Sequence, residues 1–350
     1  MPYLSDRFHD QQESVGAWPG AANVTGTGTF DAAAVAQRIA RRLLGQDAAV
    51  REVRDALLLA QAGFSDGGRP LTSLLLVGPT GVGTTELVRR LAAELRSGPD
   101  DFCRVDMGQL AQEHYAASLA GAPPGYAGSR EGSSLLDRTL VEGNALTPGI
   151  VLFDEVEKAH AVVLRALLGL LDRGTLTLAS GDRTISFRNT FVFLTSNLGS
   201  AEVARRRSRR RYRIAGALRG GGERAVIDDA VRSFFDPEFL NRLDRVVHFG
   251  ELTRSAARDV VALHLDDART RMARRGLELE LADGVAEALV VTGFDPTYGA
   301  RGLRREIRRQ ILVPAAEALV ANRNAGAQAC RLRVEPAREC GRATLRIRPG

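Results

Sequence analysis

Apolar residues recur at helical spacing from Asp31 onward, with Ala34, Ile39, Leu43 and Leu44 on one side. A second helix is predicted over residues 47–62, carrying Val50, Val53, Leu57 and Leu58 on its apolar face. Short runs that are apolar on both faces follow, at 73–77, 102–106, 150–153, 190–195 and 246–249. Helical stretches near 85–96, 109–119 and 159–171 separate them. Strands of this kind, alternating with helices, imply an α/β fold with a parallel sheet covered on both sides. Gly181-Asp182, between 175–178 and 184–187, predicts a hairpin. After Glu251 the texture becomes mostly helical, over 253–275, 283–292 and 302–322, and ends in two short strands at 331–334 and 343–347. The expected organisation is a flexible tail over 1–30, an α/β core over 31–250 and a mostly helical C-terminal domain with a terminal β-hairpin over 251–350.

Composition narrows the picture. A chain of 350 residues with 44% hydrophobic content can bury the cores of one large and one small domain. No apolar run is long enough to span a membrane, and residues 1–20 lack a signal-peptide core, so a cytoplasmic protein is expected. Cys103, Cys330 and Cys340 are too few and too scattered for a disulfide framework, and the five His residues have no zinc-site spacing. The net charge of +6 is moderate, but Lys158 is the only lysine, so nearly every cation is Arg.

Candidate chemistry begins at residues 78–85, Gly-Pro-Thr-Gly-Val-Gly-Thr-Thr, directly after the apolar run Leu74-Leu75-Leu76-Val77. The phosphate-loop pattern G-x-x-x-x-G-K-[ST] fits except at Thr84, where Lys is expected. Gly78, Gly81 and Gly83 let backbone N–H groups turn toward phosphate oxygens, and the following helix offers its positive end to the same anion. Thr80, Val82, Thr84 and Glu86 complete the expected phosphate-binding stretch, and Thr85 supplies a hydroxyl for Mg²⁺. About 70 residues on, the apolar run Val151-Leu152-Phe153 ends in Asp154 and Glu155. Asp154 is suited to hold Mg²⁺ through water, and Glu155 to polarise the attacking water as general base. A phosphate-bearing ligand with Mg²⁺ is therefore expected.

With these residues in place, the chain resembles the Clp family of AAA+ unfoldases and disaggregases. The resemblance is carried by Phe153-Asp154-Glu155-Val156-Glu157-Lys158-Ala159-His160 and by Gly121-Ala122-Pro123-Pro124-Gly125-Tyr126-Ala127-Gly128. Thr195-Ser196-Asn197-Leu198-Gly199-Ser200, Pro237-Glu238-Phe239-Leu240-Asn241-Arg242-Leu243-Asp244 and Tyr298-Gly299-Ala300-Arg301 follow in the family's order. It runs from about Leu44 to the C-terminus and is nearest to the second AAA+ module of double-ring members. The resemblance implies an AAA+ P-loop NTPase core with a helical lid, acting in ATP-driven protein unfolding or remodelling, and hence that the phosphate-bearing ligand is ATP, with Mg²⁺. It implies that Asn197 is a polar sensor orienting water. Arg301 would be a second sensor acting in cis from the lid. Arg242 would be an arginine finger acting on a neighbour's nucleotide, hence a homo-hexamer or mixed ring. Leu43, Leu44, Gly45 and Gln46 resemble the segment lining the adenine pocket. Gly125, Tyr126, Ala127 and Gly128 resemble the pore loop that grips a threaded polypeptide, and an aromatic there offers contact area to any sequence.

Three departures from the family pattern bear on function. Replacing the loop lysine by Thr84 removes a charge-assisted contact of roughly 1.5–3 kcal/mol. That fits a nucleotide-binding subunit of low turnover, a regulatory or scaffold member of a ring. It also fits an ATPase that takes its charge from Arg301 or another cation, or an enzyme disabled at this position. The run Arg205-Arg206-Arg207-Ser208-Arg209-Arg210-Arg211-Tyr212-Arg213 could meet an acidic partner or nucleic acid, though a solvated loop is the simpler account and the setting of Tyr126 counts against a nucleic-acid role. Ile214-Ala215-Gly216-Ala217-Leu218 does not fit a peptidase-docking loop, which counts against a peptidase partner. Finally, one AAA+ module is expected, without a substrate-recognition domain beyond the short tail.

Overall fold

The computed structural model describes residues 30–112, 135–144, 146–177, 184–208, 222–295, 299–324, 330–339 and 342–349. The expected pore loop at Gly125, Tyr126, Ala127 and Gly128 lies outside these residues. So do residues 1–29, the turn at Gly181-Asp182, most of the predicted helix 109–119, residues 209–218 and Cys340.

Five parallel strands form the central sheet: β1 (Thr72–Val77), β2 (Cys103–Asp106), β3 (Gly149–Asp154), β6 (Thr190–Ser196) and β7 (Arg245–His248), in the order β2-β3-β6-β1-β7. A small antiparallel pair, β4 (Thr175–Thr177) and β5 (Thr184–Ser186), stands apart as the predicted hairpin. β1, β3 and β6 are buried along their whole length, which is why they read as unbroken apolar runs. Leu74, Leu76, Leu152, Phe191 and Phe193 face helices α1 (Ala32–Ala40), α2 (Asp47–Gln61) and α3 (Thr84–Leu95). The alternate residues Leu75, Val77, Val151, Phe153 and Leu194 face α5 (Ala161–Arg173), which follows the short α4 (Arg138–Glu142). On that same side lie residues of α7 (Gly222–Phe234) and α8 (Pro237–Arg242); α6 (Ser200–Ser208) leads toward them from the end of β6. Among the described residues no helix is long and apolar enough to cross a membrane.

A second hydrophobic cluster is built from α9 (Arg254–Ala273), α10 (Val285–Gly293), α11 (Arg301–Ile307) and α12 (Val313–Asn324). Val261, Leu265, Leu289, Leu303 and Ile307 are its centre. Its sheet differs from the predicted hairpin. The antiparallel pair β9 (Cys330–Glu339) and β10 (Arg342–Pro349) gains a third strand, β8 (Leu277–Leu281), which runs parallel to β9. β8 buries Leu277 and Leu279 while exposing Glu278, the period-2 alternation of a half-buried strand. The predicted helix over 302–322 is also divided. A π turn, Arg308–Leu312, separates α11 from α12 just before Pro314, which has no N–H to give to an α-helical ladder. Gln310 in that turn is buried and used: its amide donates to Glu306 at 2.7 Å and its carbonyl accepts from the Leu345 amide at 3.0 Å.

Two predicted faces need adjustment. Leu58 is 54% exposed, because Val50, Val53 and Leu57 already point α2 at the sheet. In α1 the inward residues are Val35, Ala36 and Ile39, with Ala34 only half-buried.

Polar contacts join the two hydrophobic units. Arg42, after α1, donates to both Asp267 oxygens of α9 at 2.7 and 2.9 Å. Arg304 of α11 donates to Glu86 of α3 at 3.1 Å and to His264 Nε2 of α9 at 3.3 Å. Burial, and then the nearby Arg304 charge, push His264 below the usual histidine range, against weaker opposing pulls from Glu86 and Asp267. A histidine held neutral in this way contributes stability above its unfolded value of about 6.5, and the contribution is lost as pH falls through its own lower value. His264→Leu should therefore flatten the decline of stability between about pH 7 and pH 5, read from urea unfolding at a series of pH values. In the central sheet, Phe193→Ala empties a fully buried site and should cost about 3–5 kcal/mol in the same measurement.

Candidate functional site

β1 leads straight into the glycine loop, and the loop leads straight into α3. The Gly78 amide donates to the Ser196 carbonyl at 3.1 Å, which ties the start of the loop to the end of β6. Gly81 and Gly83 have φ of +82° and +116°. Gly83 has no room for a side chain, since a Cβ there would stand 2.7 Å from Leu43 Cδ1. It also opens α3 without any side-chain cap, so the first amides of the helix keep their donors for an anion. Thr84, Thr85 and Glu86 form that first turn. Burial raises the Glu86 carboxyl, but Arg90 and Arg304 outweigh it and hold the group below the ordinary glutamate range. Glu86 is thus a charged residue already satisfied by two arginines.

The second wall comes from β3 and β6. Pairing of Phe153 with Leu194 brings Asp154 beside Thr195. Thr195 Oγ1 donates to Asp154 Oδ1 at 2.5 Å and accepts from the Glu155 amide at 2.9 Å. One hydroxyl therefore sets both acids. Glu155 adopts φ 59° and ψ 53°, the left-handed region, where a non-glycine residue costs of order 1–3 kcal/mol. Its carboxylate accepts from Lys158, and this bond and charge raise the Lys158 ammonium above the usual lysine range. The other Asp154 oxygen, Oδ2, accepts from Arg104 of β2 at 2.5 and 3.1 Å. Asn197, just past β6, is half-buried, and its backbone N–H donates to Glu157 Oε1 at 3.4 Å.

The third wall is the start of α11. The Ala300 amide donates to the Gly81 carbonyl at 2.9 Å. Gly299, with φ +57°, comes so near that a Cβ would lie 2.5 Å from the same oxygen. That approach sets exposed Arg301 at the rim of the loop. Gln46 closes the opposite side: its amide donates to the Val82 and Gly250 carbonyls at 3.3 and 2.8 Å.

Gly78, Thr80, Gly81, Val82, Gly83, Thr84, Thr85 and Glu86 line one cavity of about 380 Å³ together with Asp154, Glu155, Asn197 and Arg301. Leu43 and Leu44 line it too, whereas buried Gln46 stands behind it through the Val82 carbonyl. Arg242 does not belong to this group. It ends α8, pairs with Asp172 of α5, and gives its carbonyl to Arg69 and to Ser73 Oγ. Uncapped amides beside a hydroxyl suit a nucleotide phosphate, and the oxygens of Thr85 and Asp154 are the hard donors that suit Mg²⁺. In this arrangement both Asp154 oxygens already have partners.

Sequence reasoning missed Arg104 and the Lys158 pairing, and named Thr195 only as part of a motif. The alternation Cys103-Arg104-Val105-Asp106, with Cys103 and Val105 buried, is the one sequence signal that would have turned Arg104 toward the Asp154 face.

Residues 69–246 match the family described as AAA domain (Cdc48 subfamily), and residues 252–332 match the C-terminal, D2-small domain of ClpB protein. An ATP-dependent protease ATP-binding subunit-like protein of Rhodococcus erythropolis is 51% identical over 334 residues, covering 94% of this chain and 95% of that protein. The AmiB protein of the same description from Pseudomonas aeruginosa is 46% identical, covering 86% and 83%. A chaperone protein ClpB of Rhodopirellula baltica is 40% identical over 82% of this chain, but the match spans only 31% of that longer protein. Among solved structures, a closed-state cryo-EM reconstruction of Hsp104 with ATPγS and FITC casein matches with a TM-score of 0.73 at 27% identity, covering 90% of this chain and 51% of that one. The chain belongs to the Clp-type AAA family, an AAA domain followed by a D2-small domain of the ClpB kind.

Proposed function

We propose that this chain is an ATPase subunit that remodels or unfolds polypeptides as part of a ring. The observation that carries the reading is the single cleft where the glycine loop, Asp154, Glu155 and Asn197 meet Arg301. We assign residues 31–250 as the nucleotide-binding core and 251–350 as its lid. In this reading the loop amides cradle the phosphates, and Thr85 and Asp154 hold Mg²⁺, which neutralises charge on them when bound. Glu155 takes the proton of the attacking water once Lys158 lets go of its carboxylate. Asn197 orients that water, and Arg301 senses the terminal phosphate in cis. Arg242 stands away from the cleft of its own chain, which suits a finger offered to a neighbour's nucleotide in a hexameric or mixed ring. Tyr126, with Gly125, Ala127 and Gly128, grips the polypeptide. The names of the relatives, ATP-binding subunit-like and ClpB chaperone, support the same substrate and cofactor.

A second reading, a nucleotide-binding ring member with little turnover, draws on Thr84 together with the Glu155–Lys158 pair, since each lowers the rate expected of the cleft. Steady-state hydrolysis separates the two. Thr84→Lys should raise ATP turnover by roughly ten- to a hundredfold, the worth of one charge-assisted contact. Adding Glu155→Gln to that variant should then reduce turnover by about 10²–10⁴ while ATP binding persists. If Thr84→Lys binds ATP and stays silent, the remodelling reading fails for this chain alone and the low-turnover reading stands. Arg242→Ala should leave ATP binding intact and abolish the hydrolysis of assembled rings.

A further inference from the structure

Thr84 leaves the loop without its cation, yet the cleft contains a guanidinium that the loop motif does not account for. Arg104 stands on β2, where Cys103 and Val105 turn to the opposite core. Its register partner on β3 is Leu152, so it shares a face with Asp154 and with α3. It lines the same cavity as Thr84 and Thr85. The side chain is 56% exposed, whereas its partner Asp154 is nearly buried.

Of the other arginines lining the cleft, Arg301 stands exposed at the rim, where the nucleotide reading already uses it as a sensor, and the remaining four are engaged elsewhere. Arg42 is held by Asp267, Arg89 by Asp100, and Arg90 and Arg304 by Glu86. None of these carboxylates is expected to carry Mg²⁺. Arg104 alone among the ion-paired arginines of the cleft is bonded to the acid expected to serve the metal. That pairing has two consequences. It neutralises Asp154, and it holds a planar, permanently charged fork beside the loop.

We propose that Arg104 supplies, toward the terminal phosphates of a nucleoside triphosphate, the positive charge that Thr84 lacks. This rests on the nucleotide reading of the cleft. A di- or triphosphate presents several anionic oxygens, a better bidentate acceptor than one oxygen of a carboxylate already bonded to Thr195. Arg104 then exchanges Asp154 for phosphate, and the freed Oδ2 becomes available for the role expected of Asp154. Binding of the anion and release of the acid are one event, carried by one side chain.

The test is calorimetric titration of ATP, ADP and AMP, with Mg²⁺, into the unaltered chain, Arg104→Met and Arg104→Lys, each repeated on the Thr84→Lys background. With Thr84 in place, Arg104→Met should weaken ATP by more than about tenfold and AMP by less than about twofold, and Arg104→Lys should recover part of the loss. On the Thr84→Lys background the ATP penalty of Arg104→Met should shrink to less than about threefold, because the two cations serve one anion. An equal penalty on both backgrounds, an equal penalty for AMP and ATP, or no penalty at all would overturn the proposal. ATP binding by the unaltered chain that Arg104→Met leaves unchanged sinks the Arg104 role alone. Absence of ATP binding by the unaltered chain sinks that role together with the nucleotide reading of the cleft.

Discussion

Parallel pairing of β1 with β6 on one side and β7 on the other constrains the chemistry available to this chain. Parallel strands deliver all their carboxyl ends to one edge, and every chain segment leaving that edge starts from the same place. The glycine loop leaves β1, Asp154 and Glu155 leave β3, Asn197 leaves β6, and Phe249 leaves β7 beneath Gly78. Burial on both faces holds the strands in register. The site is therefore as exact as the packing of Leu74, Leu76, Phe153 and Phe193 beneath it.

Within that frame, three acids of the cleft are each held by a basic partner. Asp154 answers to Arg104, Glu155 to Lys158 and Glu86 to Arg90 and Arg304. Thr195 links the first two pairs through a single oxygen. Because these acids already have partners, an arriving anion rearranges existing pairs as well as meeting the uncapped amides of the loop. Arginine is suited to such exchange because its fork keeps its charge and geometry through the change.

The fold was legible wherever one strand carried its own signal. Continuous apolar runs announced β1, β3 and β6, and motif order placed Asp154, Glu155 and Asn197 at their ends. β8 escaped because Leu277–Leu281 lies between two helices, and its alternation gains meaning only through β9, which comes some fifty residues later. Leu58 was misplaced because helical spacing gives a face but not its width. Arg104 was invisible for a related reason. Its role depends on the register of β2 against β3, and two strands some fifty residues apart do not declare their offset in sequence. The division at Arg308–Leu312 was readable in part, since Pro314 stands inside the predicted helix.

The pairing of Glu155 with Lys158 also has a practical side. Lys158 carries the only lysine ε-amine in the whole sequence, half-exposed and paired with Glu155, which lines the cleft. A reagent selective for ε-amines thus meets one address, next to the carboxylate on which turnover is expected to depend. Its reactivity falls while the ammonium is held by Glu155 and rises when that grip is released. The chain carries its own chemical reporter, and the rate at which the label appears in a mass spectrum would follow how often the Lys158–Glu155 grip opens.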